Sequence, residues 1–88
     1  MSFPQEDKHI CYRCKTWVEH PDPHHIFNGA FRDFADEDGY VIYVHRQCHE
    51  LIHRNAAIRL KLKAEAQKDY EAKHGHEAYM KRYRKSYL

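Results

Sequence analysis

Two sets of histidines carry most of the chemistry that this sequence could perform. His24 and His25 are adjacent, and His49 and His53 lie four residues apart, directly after a cysteine. Residues i and i+4 share one face of a helix, so His49 and His53 could reach one ion together. His24 could bind that ion from the other side, which would leave His25 free as a base. Three imidazole ligands beside a spare base are typical of a hydrolytic metal centre.

Three cysteines and a fifth histidine form a second metal-ligand pattern. Cys11 and Cys14 are separated by two residues, which is the spacing of half a zinc site. His45 and Cys48 repeat that spacing and supply the two further ligands that a tetrahedral site needs. A chain of 88 residues has a marginal core without a metal or a disulfide, and an odd number of cysteines cannot all form disulfides. The sequence therefore predicts a structural zinc ion with these four ligands.

The histidine of the zinc site has competitors. On a helix, Cys48 and His53 lie about 140° apart around the axis, whereas His49 and His53 lie only about 40° apart. His49 and His53 therefore belong together, and His45 is the better partner for Cys48. Two other histidines lie near enough in sequence to replace His45 as the ligand: His9 and His20.

The histidine doublet is predicted to lie on an extended segment. Pro21 and Pro23 disfavour a helix just before the doublet. Residues 40–44 are β-branched or aromatic and predict a strand. Asn28-Gly29 and Asp38-Gly39 are turn signals, so we expect a loop between the two extended segments.

The second half of the chain has a helical pattern. A helix should start near Cys48, bend around Asn55 and resume through about Lys73, because apolar residues recur among strong helix formers. Gly75 is a stop signal, and residues 76–85 could form a last short helix.

The charge distribution suggests a nucleic-acid contact. The net charge is only +2, but segment 81–87 is strongly basic and contains interleaved tyrosines. Such a segment suits phosphate contact combined with stacking on bases. The residues that we expect to bind nucleic acid are Arg54, Lys81, Arg82, Arg84 and Lys85. The alternative is that segment 81–87 is a solvated helix end.

The composition also predicts an organisation and a compartment. We expect a flexible N-terminus (1–9), a zinc-stapled core (10–55) and a C-terminal helical extension packed on that core (56–88). No charged-then-apolar signal segment opens the chain, and no apolar run is long enough to cross a membrane. These features predict a reduced, cytoplasmic protein without a membrane partner.

The order of the motifs resembles the HNH, or ββα-metal, nuclease superfamily. The segments that carry the resemblance are Cys11-x2-Cys14, Asp22-Pro23-His24-His25 and His45-x2-Cys48-His49-x3-His53. They look like the small phage-encoded members built on a zinc-stapled treble clef, in which two C-x2-C pairs flank the motif. Here His45 stands where the second pair has its first cysteine.

The resemblance implies a fold and an activity. The fold would be a small α+β protein, with a treble-clef or ββα-metal core around a structural zinc, followed by C-terminal helices. The activity would be metal-dependent hydrolysis of DNA by a phage or prophage protein in the host cytoplasm, with a phage or host protein as a further partner. His24, His49 and His53 would hold the catalytic ion (Mg²⁺, Mn²⁺, Ni²⁺ or Zn²⁺), and His25 would be the general base.

The chain departs from the family pattern in one respect. The family has a middle Asn that orients the base, and residues 29–54 contain no Asn. This absence favours an alternative function, a non-catalytic zinc module that binds nucleic acid. A third hypothesis is a protein-interaction module that uses apolar side chains of the long helix: Leu60, Leu62 and Tyr70.

Overall fold

A small antiparallel sheet carries the histidine doublet. The structure, a computed structural model, describes residues 5–88. Strand β1 (Asp22–His25) pairs with strand β2 (Val41–Val44). The strand predicted at residues 40–44 is confirmed, and the extended segment predicted at the doublet is strand β1. The described part of the chain is thus an α+β fold with one two-stranded sheet and four α-helices.

The connection between the strands is helical, so the predicted loop is wrong. A 3-10 turn (Gly29–Phe31) leads into helix α1 (Arg32–Asp38). The helix ends at Gly39, whose φ of 79° lies in the left-handed region that glycine adopts most easily. The turn signals therefore mark the two ends of a helix. At seven residues, α1 is too short to show the apolar periodicity by which helices are predicted.

Three further helices follow the sheet, as predicted. Helix α2 (Arg46–Arg54) is separated from helix α3 (Ala56–His74) by Asn55, whose side chain accepts a hydrogen bond from the first turn of α3. This N-cap satisfies a backbone N–H that would otherwise lack a partner. Gly75, at a φ of 88°, separates α3 from helix α4 (His76–Tyr83). No helix within the described residues is long and apolar enough to cross a bilayer.

Residues 10–17 form a tight turn, the knuckle, which lies beside strand β2. Ile10 and Trp17 form an isolated antiparallel bridge that closes the knuckle. The side-chain amide of Gln5 hydrogen-bonds both the N–H and the C=O of Tyr43, at 2.6 and 3.0 Å, as a neighbouring strand would. The first four residues of the segment predicted to be flexible (1–9) lie outside the described residues.

Of the two tyrosines of the basic segment, Tyr83 belongs to the core and cannot stack on bases, whereas Tyr87 is partly buried and packs against the core. Tyr79 and Tyr83 are fully buried. The ring of Tyr83 stacks on Phe27 with centroids 4.2 Å apart, and its hydroxyl donates to Asp38. Helix α4 therefore covers the end of the sheet, and its aromatic face supplies a large part of the apolar area that the small core buries.

Arg82, one of the predicted nucleic-acid contacts, is half-buried and is paired with carboxylates of the fold. Its guanidinium donates to Asp38 at 2.7 Å and to Glu37 at 2.7 Å. It also lies over the ring of Phe34, 4.4 Å from the centroid. These contacts tie α4 to α1. The other predicted cations of the segment are exposed: Lys81, Arg84 and Lys85.

We expect Tyr83→Ala to lower the free energy of unfolding by about 3–5 kcal/mol, because it leaves a cavity under a buried aromatic stack. Tyr83→Phe should cost about 1–2 kcal/mol through the lost hydrogen bond to Asp38. Urea unfolding of the zinc-loaded protein, followed by circular dichroism, measures both values. The control is Leu88→Ala, which should change stability by less than about 0.5 kcal/mol. Equal stability of the Tyr83→Ala and Leu88→Ala variants would show that α4 is not integral to the core.

Candidate metal centres

The knuckle presents two sulfur atoms from one tight turn. The N–H of Cys11 donates to Thr16 and the N–H of Lys15 donates to Cys11, both at 2.9 Å. Lys15 has a φ of 63°, which turns the chain back on itself. The backbone N–H of Cys14 points to the sulfur of Cys11 at 3.5 Å. The turn thus holds both cysteines on one side, as a two-cysteine half-site requires.

Helix α2 supplies the other half of this cluster. His45 is the N-cap residue of α2 and Cys48 lies in its first turn. The four ligand atoms of the cluster all lie within 4.8 Å of one another: those of Cys11, Cys14, His45 and Cys48. Zn–S bonds of about 2.3 Å place tetrahedral ligands about 3.8 Å apart, so a zinc ion fits this donor set. The four predicted ligands are thus brought together and could bind a metal ion.

The imidazole of His45 is oriented for this role. Its Nε2 lies 3.1 Å from the carbonyl oxygen of Trp17, to which it can only donate a hydrogen bond. The neutral ring then carries its lone pair on Nδ1, which lies 3.2 Å from the sulfur of Cys14. An outer carbonyl that fixes the tautomer of a histidine is the usual support for a metal ligand.

The surroundings of this cluster shift the pKa values of its three thiols. Burial raises the pKa of the Cys11 thiol, but backbone N–H groups, first that of Cys14, outweigh it and lower this pKa to about 6. Burial, and next the sulfur of Cys11, raises the pKa of Cys48 to about 11. Hydrogen bonding to Thr16 lowers the pKa of the Cys14 thiol as well, so thiolates are favoured on the two knuckle cysteines, whereas a third thiolate on Cys48 would be repelled by them. A divalent cation would remove that repulsion and displace the remaining protons.

The alternative ligands lie elsewhere. His9 stacks on Trp17 at a centroid distance of 5.1 Å and contacts the carbonyl oxygen of Val18 through Nδ1. His20 is exposed and is not among the clustered ligand atoms. His53 belongs to a different group, as its position on the helix predicted.

Three histidines form that second group. His24 comes from β1, and His49 and His53 come from α2; their ligand atoms also lie within 4.8 Å of one another. The Nε2 atoms of His49 and His53 are 3.0 Å apart. The ring of His24 meets both helix rings edge-on, at centroid distances of 5.2 and 5.5 Å. The predicted set therefore converges at one point.

The electrostatics of this group favour a neutral imidazole at His24. Burial, followed by the nearby His49 and His53, lowers the pKa of His24 to about 4. His24 thus keeps a free lone pair at neutral pH. The Nδ1 of His49 lies 3.6 Å from a carboxylate oxygen of Asp22, two residues before His24 on the same strand. At this distance the carboxylate attracts a proton on Nδ1 electrostatically, without a hydrogen bond, and so favours the His49 tautomer with its lone pair on Nε2.

The second group opens onto a cavity of about 200 Å³. The lining residues are Pro23, His24, His25, Asn28, Arg32, His49 and His53. His25 therefore lies beside the three clustered histidines, as predicted. Arg32 brings a positive charge to the same cavity from the first position of α1.

Sequence reasoning missed three residues around the cavity: Asp22, Arg32 and Asp36. Asp22 and Arg32 are described above, and Asp36 lies 2.7 Å from the Nε2 of His25. Arg32 and Asp36 lie four residues apart, so they share one helix face only if residues 32–38 form a helix. Because a loop was predicted between the two extended segments, the sequence pattern did not indicate this pair.

Comparison of the chain with models of protein families, with curated proteins and with solved structures finds no match.

We expect one tightly held zinc ion per chain at the four-ligand cluster. Structural zinc contributes about 10–16 kcal/mol in small zinc peptides, which rivals the whole stability of a domain. Cys48→Ser should therefore abolish tight zinc binding and leave the chain largely unfolded. Elemental analysis after exhaustive dialysis, with circular dichroism, measures both effects.

The matched control for the zinc experiment is His9→Ala, which should keep full zinc content because His9 lies outside the cluster. Wild-type protein that is folded but free of zinc after purification without chelator would contradict the assignment.

Proposed function

We propose that this protein is an HNH-type, metal-dependent endonuclease that hydrolyses DNA phosphodiester bonds. One observation carries the proposal: three imidazoles, one buried (His24), one half-buried (His49) and one exposed (His53), converge beside a fourth, His25, in one cavity. Three ligands with an open side, next to a separate base, suit hydrolysis more than structural metal binding. We further propose that the knuckle, the two-stranded sheet and α2 together form a treble clef.

The three converging histidines would hold the catalytic ion. Their all-nitrogen donor set suits Zn²⁺ or Ni²⁺ better than Mg²⁺, although substrate oxygens can complete the shell of Mg²⁺ or Mn²⁺. When bound, such an ion supplies Lewis-acid polarisation of a phosphate oxygen and stabilises the charge on the leaving oxygen. Asp22 would orient His49 for this task through the 3.6 Å contact to Nδ1.

His25 would act as the general base. It lines the same cavity as the metal ligands, and its side chain is only 14% exposed, so the ring is held in place by its surroundings. A neutral imidazole accepts the proton of the attacking water as the bond to phosphorus forms. Strand β1 thus delivers the ligand His24 and the base from consecutive residues.

Arg32 would hold the substrate phosphate. Its position in the cavity wall places a cation beside the histidines without a ligand role of its own. A guanidinium binds two phosphate oxygens at once and so fixes their orientation as well as neutralising charge. The exposed cations Arg54, Lys81, Arg84 and Lys85 would add contacts to the DNA backbone.

We expect His25→Ala to reduce the rate of metal-dependent plasmid cleavage by about 10²–10⁴-fold, which is the usual contribution of a general base. The assay uses zinc-loaded protein with added Mg²⁺, Mn²⁺, Ni²⁺ or Zn²⁺. The matched control is His74→Ala, which changes an exposed histidine on α3. This variant should cleave at the wild-type rate. Equal cleavage by His25→Ala and wild type would remove His25 from the mechanism. Wild-type protein that binds DNA but cleaves none with any of these metals would instead support the non-catalytic zinc module.

A second, exchangeable metal site should be detectable by calorimetry. Ni²⁺ titrated into zinc-loaded protein should bind with one equivalent, and His49→Ala should abolish this binding because two imidazoles remain. Asp22→Asn should weaken it by about 10–100-fold, the usual effect of removing a carboxylate behind a histidine ligand. His76→Ala, which changes an exposed histidine on α4, should bind Ni²⁺ as the wild type does. Unchanged Ni²⁺ affinity in His49→Ala would place the metal elsewhere.

A further inference from the structure

Helix α1 brings a carboxylate to the candidate base. The Oδ1 atom of Asp36 lies 2.7 Å from Nε2 of His25, across the gap between the inserted helix and strand β1. The two residues are eleven apart in sequence and meet only because the connection between the strands is helical. This is a short, direct contact between a carboxylate and a ring nitrogen of the residue that would accept the proton.

The contact decides which nitrogen of His25 can accept a proton. An ionised carboxylate has no hydrogen to give, so the ring must donate from Nε2 to Asp36. A neutral His25 then carries its one proton on Nε2, and its lone pair is on Nδ1. Asp36 thereby selects one tautomer and one orientation of the ring. In hydrolases that use a histidine base, a third group with this role holds the base in its productive form.

A purely structural role explains this contact poorly. The side chain of Asp36 is 57% exposed, and ion pairs that are this open to water contribute little to folding. Its neighbours Glu37 and Asp38, in contrast, both bind Arg82 and so tie α1 to α4. The acidic run of α1 is thus divided: two carboxylates hold the helix in place, and Asp36 points to His25.

We propose that Asp36 is the positioning residue for His25. This inference rests on the proposed nuclease function, in which His25 is the base. Asp36 need not touch the substrate, because it acts through the imidazole. The helix between the strands, which supplies Arg32 as well, then becomes a functional part of the site and not a simple connection.

A double-mutant cycle with His25 tests this role. Asp36→Ala should lower kcat by about 10–100-fold with little change in KM, and Asp36→Glu should restore part of the loss. In the His25→Ala background, Asp36→Ala should have almost no effect, because the group through which it acts is gone. The control Asp33→Ala removes another exposed carboxylate of α1 and should keep the wild-type kcat. A loss of the same size in both backgrounds, or no loss in either, would overturn the proposal.

A spectroscopic measurement keeps the inference testable if the protein does not cleave DNA. Above about pH 8, where an ordinary histidine is neutral, ¹⁵N spectra of zinc-loaded protein distinguish the two tautomers of His25. We expect His25 to be protonated on Nε2 in the wild type and in Asp33→Ala, and to become a mixture of tautomers in Asp36→Ala. Absence of cleavage with this result would refute the nuclease function and retain the role of Asp36. An unchanged tautomer in Asp36→Ala would refute the role of Asp36 itself.

Discussion

The candidate active site depends on the junction between the knuckle and the first turn of α2. Cys48 belongs to the cluster of zinc-type ligands, and the next residue, His49, belongs to the histidine group. The knuckle is tied to β2, the partner strand of β1, by the hydrogen bond from the N–H of Tyr12 to the C=O of Tyr43 at 3.1 Å. A shift of α2 relative to the knuckle would therefore also move His49 and His53 relative to His24. In a chain this small, hydrophobic packing alone fixes such a junction weakly, because too little apolar surface is buried. A metal held by four ligands from two segments would fix it directly.

The C-terminal helix supports the site from the other side. Tyr83 packs on Phe27, close to the end of β1, while its hydroxyl and the Arg82 guanidinium bind Asp38. Hydrogen bonding to Asp38, after the larger effect of burial, raises the pKa of Tyr83 well above its ordinary value, so the hydroxyl remains a donor. These contacts fix α1, and α1 in turn places Arg32 and Asp36. Two residues of the basic segment, Arg82 and Tyr83, thus hold the helix that completes the cavity.

The departure from the HNH pattern now has a structural context. Residues 29–54 contain no Asn, and Asp38, the last residue of α1, is bound to Arg82 and Tyr83. The group that reaches His25 comes from Asp36, on a helix that the sequence pattern did not reveal. A different residue type at a different position can hold an imidazole equally well, because a ring nitrogen requires only an acceptor at hydrogen-bond distance.

Sequence patterns alone were enough to predict both candidate ligand sets, the strand at 40–44 and the helix boundaries at Asn55 and Gly75. These features depend on local rules: two-residue ligand spacing, the 100° step of a helix, β-branched side chains, and capping by Asn or Gly. Three features could not be predicted from local sequence: α1 is a helix, Tyr83 and Arg82 pack within the fold, and Asp36 contacts His25. Those outcomes depend on contacts between segments distant in sequence, and burial or ion pairing there outweighs what composition alone would favour.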